Sequence, residues 1–294
     1  MAITDLTKLL NLDALQYGNM TALLVALAQG QFMIDDILPV VPSTDDFMYE
    51  RETYTTKFDR AEKRGEKGEA QKNAFNLTQQ SVTSWEYFEA YDITAKTLRK
   101  GNVYNFINIM VKGMDIIASK IRLASEMDGL EALLSTSGVN SISGTGAYST
   151  YSASDPYKDI VKGKVAIRLD EMVEANAIIL GAENEAELKL SDSMRDVAQY
   201  TINYSPEGVP TGRIDGTKVH IANARYNSSS TLTPVLNGTA ILAVGGYCGE
   251  MREAQPYMAD SEYAKSVQVL TLYGKRVIRP IITKPEAVCL ITGI

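Results

Sequence analysis

Residues 94–134 read TAKTLRKGNVYNFINIMVKGMDIIASKIRLASEMDGLEALL, and this stretch sets the architecture of the whole chain. Val103, Ile107, Met110, Met114, Ile117, Ile121, Ala124, Met127 and Leu134 recur every three or four residues, drawing one apolar stripe along a helix. The pattern predicts one helix from Thr94 to Leu134; about 40 residues at ~1.5 Å each reach ~60 Å, longer than a small domain is wide. Gly101, Gly113 and Gly129 each weaken such a helix by ~1 kcal/mol relative to alanine, so packing must hold it. Ser135-Thr136-Ser137-Gly138 ends it.

Upstream, Tyr49 to Tyr91 is a highly charged hairpin-like stretch centred on Lys63-Arg64-Gly65-Glu66-Lys67-Gly68-Glu69. Its flanks alternate like strands, Tyr54 and Thr56 to Phe58 on one side and Trp85 to Phe88 and Tyr91 on the other. A two-stranded extension with so few apolar residues is marginal alone and needs a surface to lie on. Before it, Ile37-Leu38-Pro39-Val40-Val41-Pro42 predicts an extended strap, since two prolines in four residues exclude a helix. Leu6, Leu9 and Leu10 have helical spacing. The run Ala22 to Ala28 has the look of a signal-peptide core, but Asp5 and Asp13 against Lys8 give the wrong charge before it. It is also shorter than the ~20 residues of a membrane span. The expectation is a helix packing on a partner surface, in a soluble cytoplasmic protein.

Downstream, residues 138–154 form a Ser/Gly/Tyr-rich loop. Asp155-Pro156 then opens a second helix, aspartate as N-cap and proline in the first turn. Ile160, Val161, Val165, Leu169, Met172 and Val173 are its expected buried face. Asn176 to Gly181 predicts a buried strand, and Glu183 to about Leu190 a short helix. Strands follow at Lys218–Ala222, at Thr239–Val244 before Gly245-Gly246, at Val267–Tyr273 up to a break at Gly274, and at Arg276–Thr283. Pro285 leads into a last strand, and the fold class is α+β.

Composition removes several kinds of chemistry. The net charge of −7 over 294 residues leaves no basic excess for tight, non-specific nucleic-acid binding. The single histidine, His220, sits at strand spacing without nearby ligand residues, which argues against a metal centre. Cys248 and Cys289 lie far apart in apolar runs and read as two buried thiols in a reducing compartment, one disulfide being the alternative. No phosphate loop, no dinucleotide fingerprint and no Gly-x-Ser-x-Gly elbow occurs, and Gly144-Thr145-Gly146 lies in a Ser/Gly loop. The acidic groups Asp35-Asp36, Asp45-Asp46, Glu250 with Glu253, and Glu183-Glu185-Glu187 read as solvated faces. No catalytic, cofactor-binding or metal residue is assigned.

The order of these segments resembles the major capsid (head) protein of tailed bacteriophages, the Hong Kong 97 fold. The most specific local match is Lys284-Pro285-Glu286-Ala287-Val288, similar to the family's turn into its last strand. Gly212 to Val219, Gly245-Gly246-Tyr247 and residues 257–283 resemble further parts of it. The resemblance implies an N-terminal arm (1–47), an extended loop (48–92), a peripheral domain with the spine helix (93–175), an axial domain (176–255), peripheral-domain strands (256–283) and a last axial strand (284–294). It implies a structural protein, not an enzyme, without cofactors, that self-assembles into hexamers and pentamers of an icosahedral head in the virion. Assembly is expected in the host cytoplasm, around weakly contacted double-stranded DNA and away from membranes. Further candidate partners are separate scaffolding, portal and decoration proteins. The loop residues Lys57, Arg60, Glu62, Lys63, Arg64, Glu66 and Lys67 are the expected intersubunit contacts. The arm begins almost at Met1, so any scaffold is expected to be a separate protein. The second reading is an encapsulin-like nanocompartment shell enclosing cargo enzymes.

Overall fold

The structure, a computed structural model, describes residues 17–28, 33–53, 76–94, 103–150, 154–190, 201–204, 210–214, 216–222, 225–228, 231–234, 236, 238–264 and 266–294. The described chain opens with helices α1 (Tyr17–Ala28) and α2 (Met33–Ile37) and strands β1 (Val40–Pro42), β2 (Asp46–Thr53), β3 (Asn76–Thr83) and β4 (Trp85–Thr94). The long helix α3 (Val103–Ser135), strand β5 (Asn140–Ser143), helix α4 (Pro156–Glu171), strand β6 (Ala177–Gly181) and helix α5 (Ala182–Leu190) follow. Strands β7 (Thr201–Tyr204), β8 (Pro210–Ile214), β9 (Thr217–Ala222), β10 (Arg225–Ser228), β11 (Thr231–Pro234) and β12 (Thr239–Ala243) lead to the long pair β13 (Gly249–Ala264) and β14 (Val269–Ile282). A 3₁₀ turn at Pro285–Ala287 introduces β15 (Val288–Thr292). The fold is α+β.

One layer is a four-stranded sheet in the order β1-β13-β14-β4, with α3 lying across it and α1 beside α3. Met110, Met114, Ile117 and Ile121 are buried there with Leu270 and Leu272 of β14 and with Met20, Leu24 and Ala28 of α1. The segment around Ala22 to Ala28 therefore packs on its own chain, correcting the partner-surface expectation. Its Thr21 hydroxyl accepts a hydrogen bond from the Ala259 N–H at 3.1 Å, supplying one rung at the margin of β13.

The helix starts later than its pattern implies. Thr94 closes β4, paired with Val269, so the helix covers 33 residues and ~50 Å. Ile107, expected in the stripe, is exposed, whereas Leu130 and Leu133 are buried in its last turns. Gly274 is no break: it sits inside continuous β14, between Glu89 of β4 and Ala259 of β13. A Cβ there would come well inside 3.0 Å of Ile117 Cγ2, so the glycine is what lets the helix lie against the sheet.

The second layer is a seven-stranded sheet, β5-β15-β12-β6-β9-β8-β7, with α4 packed on β15 and β5. Its central strands are buried on every residue or nearly so, and Ile178, Ile179, Leu180, Ile241, Leu242 and Ile291 fill the larger core. Asn140–Ser143, expected as loop, is a strand running parallel to β15, because the C-terminal strand needs a partner on its free side.

Helix α4 begins as its residues predict. The Asp155 carboxylate accepts from the Lys158 N–H at 3.1 Å, and Pro156 opens the first turn. Its buried face differs. Ile160, Gly163 and Ile167 point inward, while Val165, Leu169 and Met172 are exposed and Val161 and Val173 half-buried. The helix carries two apolar stripes roughly half a turn apart. Gly163 decides between them, because a Cβ on that side would overlap Leu242 and touch Cys289.

The strap reading of Ile37–Pro42 holds from Val40 onward. Ile37 is the last residue of α2, and β1 then runs parallel to β13, with Val40 beside Met251 and Pro42 beside Glu253.

Candidate intersubunit surface

The charged extension is built differently from its sequence outline. Asp46–Thr53 pairs with the polar segment Asn76–Thr83, in eight consecutive pairs from Asp46↔Thr83 to Thr53↔Asn76, whereas Tyr54 and Thr56 to Phe58, expected as the outgoing strand, lie outside the described residues. Trp85 to Tyr91, expected as the returning strand, belongs instead to β4 of the four-stranded sheet. The hairpin therefore leaves the rim of that sheet through one residue, Ser84, whose N–H donates to the Asp45 carbonyl at 2.7 Å. Lys57, Arg60, Glu62, Lys63, Arg64, Glu66 and Lys67 lie outside the described residues, between the two strands placed here.

At the root of the hairpin is a cleft of about 360 Å³, lined among others by Tyr49, Gln80, Trp85, Asp128, Glu131 and Arg279. The Arg279 guanidinium stands 3.5 Å from the Trp85 ring centroid, and the Tyr87 hydroxyl donates to Asp128. Burial raises the pKa of Asp128 and, against it, the Tyr87 hydrogen bond lowers it. The root is thus fixed to the C-terminal third of α3 and to β14 by ring stacking and one strong hydrogen bond.

Strand alternation gives the four-stranded sheet two unlike faces. Tyr87, Glu89 and Tyr91 of β4 turn toward α3, Glu89 meeting Lys120 in an ion pair and Tyr91 lying against Gly113. Glu86, Phe88, Ala90 and Asp92 point the other way and are exposed. Register puts Lys275 beside Phe88, Tyr273 beside Ala90 and Thr271 beside Asp92, then Asp260 beside Tyr273 and Glu262 beside Thr271. Phe88 and Tyr273 stack with centroids 5.6 Å apart, and the Thr271 hydroxyl donates to Asp92 at 2.7 Å. The outer face is thus an aromatic pair among four carboxylates (Glu86, Asp92, Asp260 and Glu262) and one ammonium, Lys275. None of the four belongs to the acidic groups singled out from the sequence. They come from two strands far apart in the chain, and the faint signal was alternation: acids at 260 and 262, and at 86 and 92, on strands.

Those acidic groups that the structure describes do not converge on a reaction centre. Asp36 pairs with Lys218, Glu253 accepts from Arg276 Nε at 2.8 Å, and Glu250 from Arg252 Nε at 2.7 Å. Cys248 and Cys289 are buried free thiols, which burial pushes up to about 12 and about 11 respectively. His220 is buried in β9 and pushed down to about 4, by desolvation first and then by Lys218. Among the described residues no group of three or more His, Cys, Asp or Glu side chains could hold a metal ion, and no helix is long and apolar enough to cross a membrane.

A long helix laid across one sheet, a hairpin leaving its rim, and a second sheet closed by the C-terminal strand together make the fold of phage capsid proteins, in agreement with the resemblance drawn from the sequence. A phage-related protein from Bordetella bronchiseptica RB50 superposes with a TM-score of 0.65 at 13% identity, over 92% of this chain and 96% of that one. The capsid of cyanophage P-SCSP1u gives 0.62 at 11% identity, over 89% and 88%. A virus-like particle from Pyrococcus furiosus gives 0.61 at 11%, over 94% and 98%. No family model and no curated protein matches the sequence.

Proposed function

We propose that this chain is the structural subunit of an icosahedral viral head, a major capsid protein of the Hong Kong 97 type that assembles as hexamers and pentamers around double-stranded DNA. The observation that carries the reading is the likeness in fold to the capsid of cyanophage P-SCSP1u over 89% of this chain, with a phage-related protein matching over 92%. In this reading the chain performs no turnover and needs no cofactor, and its location is the virion after assembly in the host cytoplasm. The four-stranded sheet with α3 is the peripheral domain, the seven-stranded sheet the axial domain, and residues 48–84, up to the start of β4, the extended loop. Scaffolding, portal and decoration proteins are its further partners.

Charge supports a place for the loop. Residues 57–72 hold six basic side chains (Lys57, Arg60, Lys63, Arg64, Lys67 and Lys72) against four acidic ones, in a chain of net charge −7. The acidic outer face of a neighbouring copy's four-stranded sheet is the complementary surface. Each exposed pair contributes only ~0.2–1 kcal/mol, but a shell repeats the contact in every copy. The same acidic balance predicts a weak, salt-sensitive DNA contact.

A second reading, a nanocompartment shell around cargo enzymes, is favoured by one observation: a similar structure is a virus-like particle of Pyrococcus furiosus rather than a phage head. Light scattering and negative-stain imaging of the purified protein test both. Capsomers or closed particles are expected, large and thin for a head, smaller and uniform for a nanocompartment. A clean monomer near 32 kDa across a wide range of salt and pH overturns the shell reading.

A further inference from the structure

The N-terminal arm crosses the body at α2, and the crossing is tight. Ile34 lies so close to Gly129 of α3 that a Cβ on the glycine would overlap it. Within the segment the Leu38 N–H donates to the Ile34 carbonyl at 2.7 Å, and the body holds it through the Gly246 N–H to the Ile37 carbonyl at 2.9 Å and the Met251 N–H to the Pro39 carbonyl at 3.0 Å.

Charge gathers at this crossing from five elements. Arg276 of β14 is 4% exposed, donates Nε to Glu253 of β13 at 2.8 Å, and sets its guanidinium 4.7 Å from the Tyr257 ring centroid. Asp35 of α2 feels Arg276 as an attraction and Glu253 and Asp36 as repulsions. Glu126 of α3, one turn before Gly129, feels Arg122 as an attraction and Asp35 as a repulsion. Asp36 itself is engaged by Lys218 of β9, and His220 on that strand stays neutral above about pH 4. Arg276 is directed to Glu253 and Tyr257, and Asp35 Oδ1 is buried with no hydrogen-bond partner. A buried acceptor in that position costs free energy for as long as the group stays ionised.

We propose that this crossing is a proton-operated latch on the arm: proton uptake by Asp35 and Glu126 seats α2 and β1 more firmly, and proton loss loosens them. The inference does not depend on the shell reading. Burial raises both carboxyls above their ordinary values of 3.8 and 4.5. A carboxyl raised in the folded state adds stability that is complete below its unfolded pKa and disappears as pH rises through the folded one. Acidification from neutrality therefore tightens the arm, with the window opening above those ordinary values. The loosened state uncovers the edge of β13 that β1 occupies, since β1 pairs with Met251 to Glu253.

Hydrogen exchange on the intact chain, at constant particle size and corrected for the intrinsic rate at each pH, reads this directly. The amides of Leu38, Gly246 and Met251 should become more protected between pH 8 and pH 4.5, by up to about tenfold for each unit by which either carboxyl is raised. The amides of Ile241 and Ile291, in the seven-stranded sheet, serve as the internal reference. Asp35→Asn and Glu126→Gln, read separately because either alone could impair folding, should each flatten the response. Protection that is constant or falls on acidification overturns the proposal, as does a wild-type slope kept by both variants.

Discussion

Gly274→Ala places one methyl group at the contact between the spine helix and its sheet. The new Cβ falls well inside 3.0 Å of Ile117 Cγ2 and 3.2 Å from Leu24 Cδ2, and Ile121 Cδ1 is 3.5 Å away. All three neighbours belong to buried residues, so none can swing into solvent. Overpacking of this kind costs ~1–3 kcal/mol, against which alanine in place of glycine returns ~0.5–1 kcal/mol of backbone entropy. The net expectation is a loss of ~0–2.5 kcal/mol, centred on about 1 kcal/mol, read by urea denaturation of unassembled subunits with an unchanged slope. Ile117→Leu removes the offending branch methyl at nearly constant volume, so the double variant should recover about 1 kcal/mol relative to the sum of the single changes. A neutral or stabilising Gly274→Ala, with no coupling to Ile117→Leu, would refute the claim that the glycine sets the approach of helix to sheet.

Ile117→Asp buries an unpaired carboxylate in the same core, and loss of soluble protein is expected; a stable, assembled variant would mean that the stripe faces outward. Deleting residues 60–70 should leave soluble subunits that do not close into shells, and normal particles by negative stain would count against the loop contact. Reversing the charge of Asp260 and Glu262 together should raise the concentration needed for assembly several-fold and weaken its salt dependence, as followed by light scattering; unchanged assembly at low salt would remove the sheet face as the loop's partner.

Several elements were legible because their determinants lie within one or two turns of chain. The Asp155 cap needs only Lys158 three residues on, and Pro156 carries its own φ restriction. The continuous apolar run at Ala177–Gly181 is a strand buried at every position. The stripe of the long helix was readable over its middle, from Met110 to Ile121, because a 3.6-residue period is a local property.

Pairing and facing were decided in three dimensions. Asn76–Thr83 has no apolar rhythm, and it is a strand because it completes β2; Trp85–Tyr91 alternates well, yet its partner is β14, nearly two hundred residues away. Periodicity offered two sides of α4, and only the close approach at Gly163 selected the one that is buried. Gly274 reads locally as a break and is instead the thin point of a continuous strand, where a helix from another part of the chain comes down. The acidic sheet face has the same origin, since the register of three strands lines Asp92 up with Glu262 across Thr271 and sets Asp260 and Glu86 on the same face. A residue's own sequence neighbours set its dihedral preferences and caps, whereas strand partners and buried faces are set by contacts whose sequence separation no local pattern records.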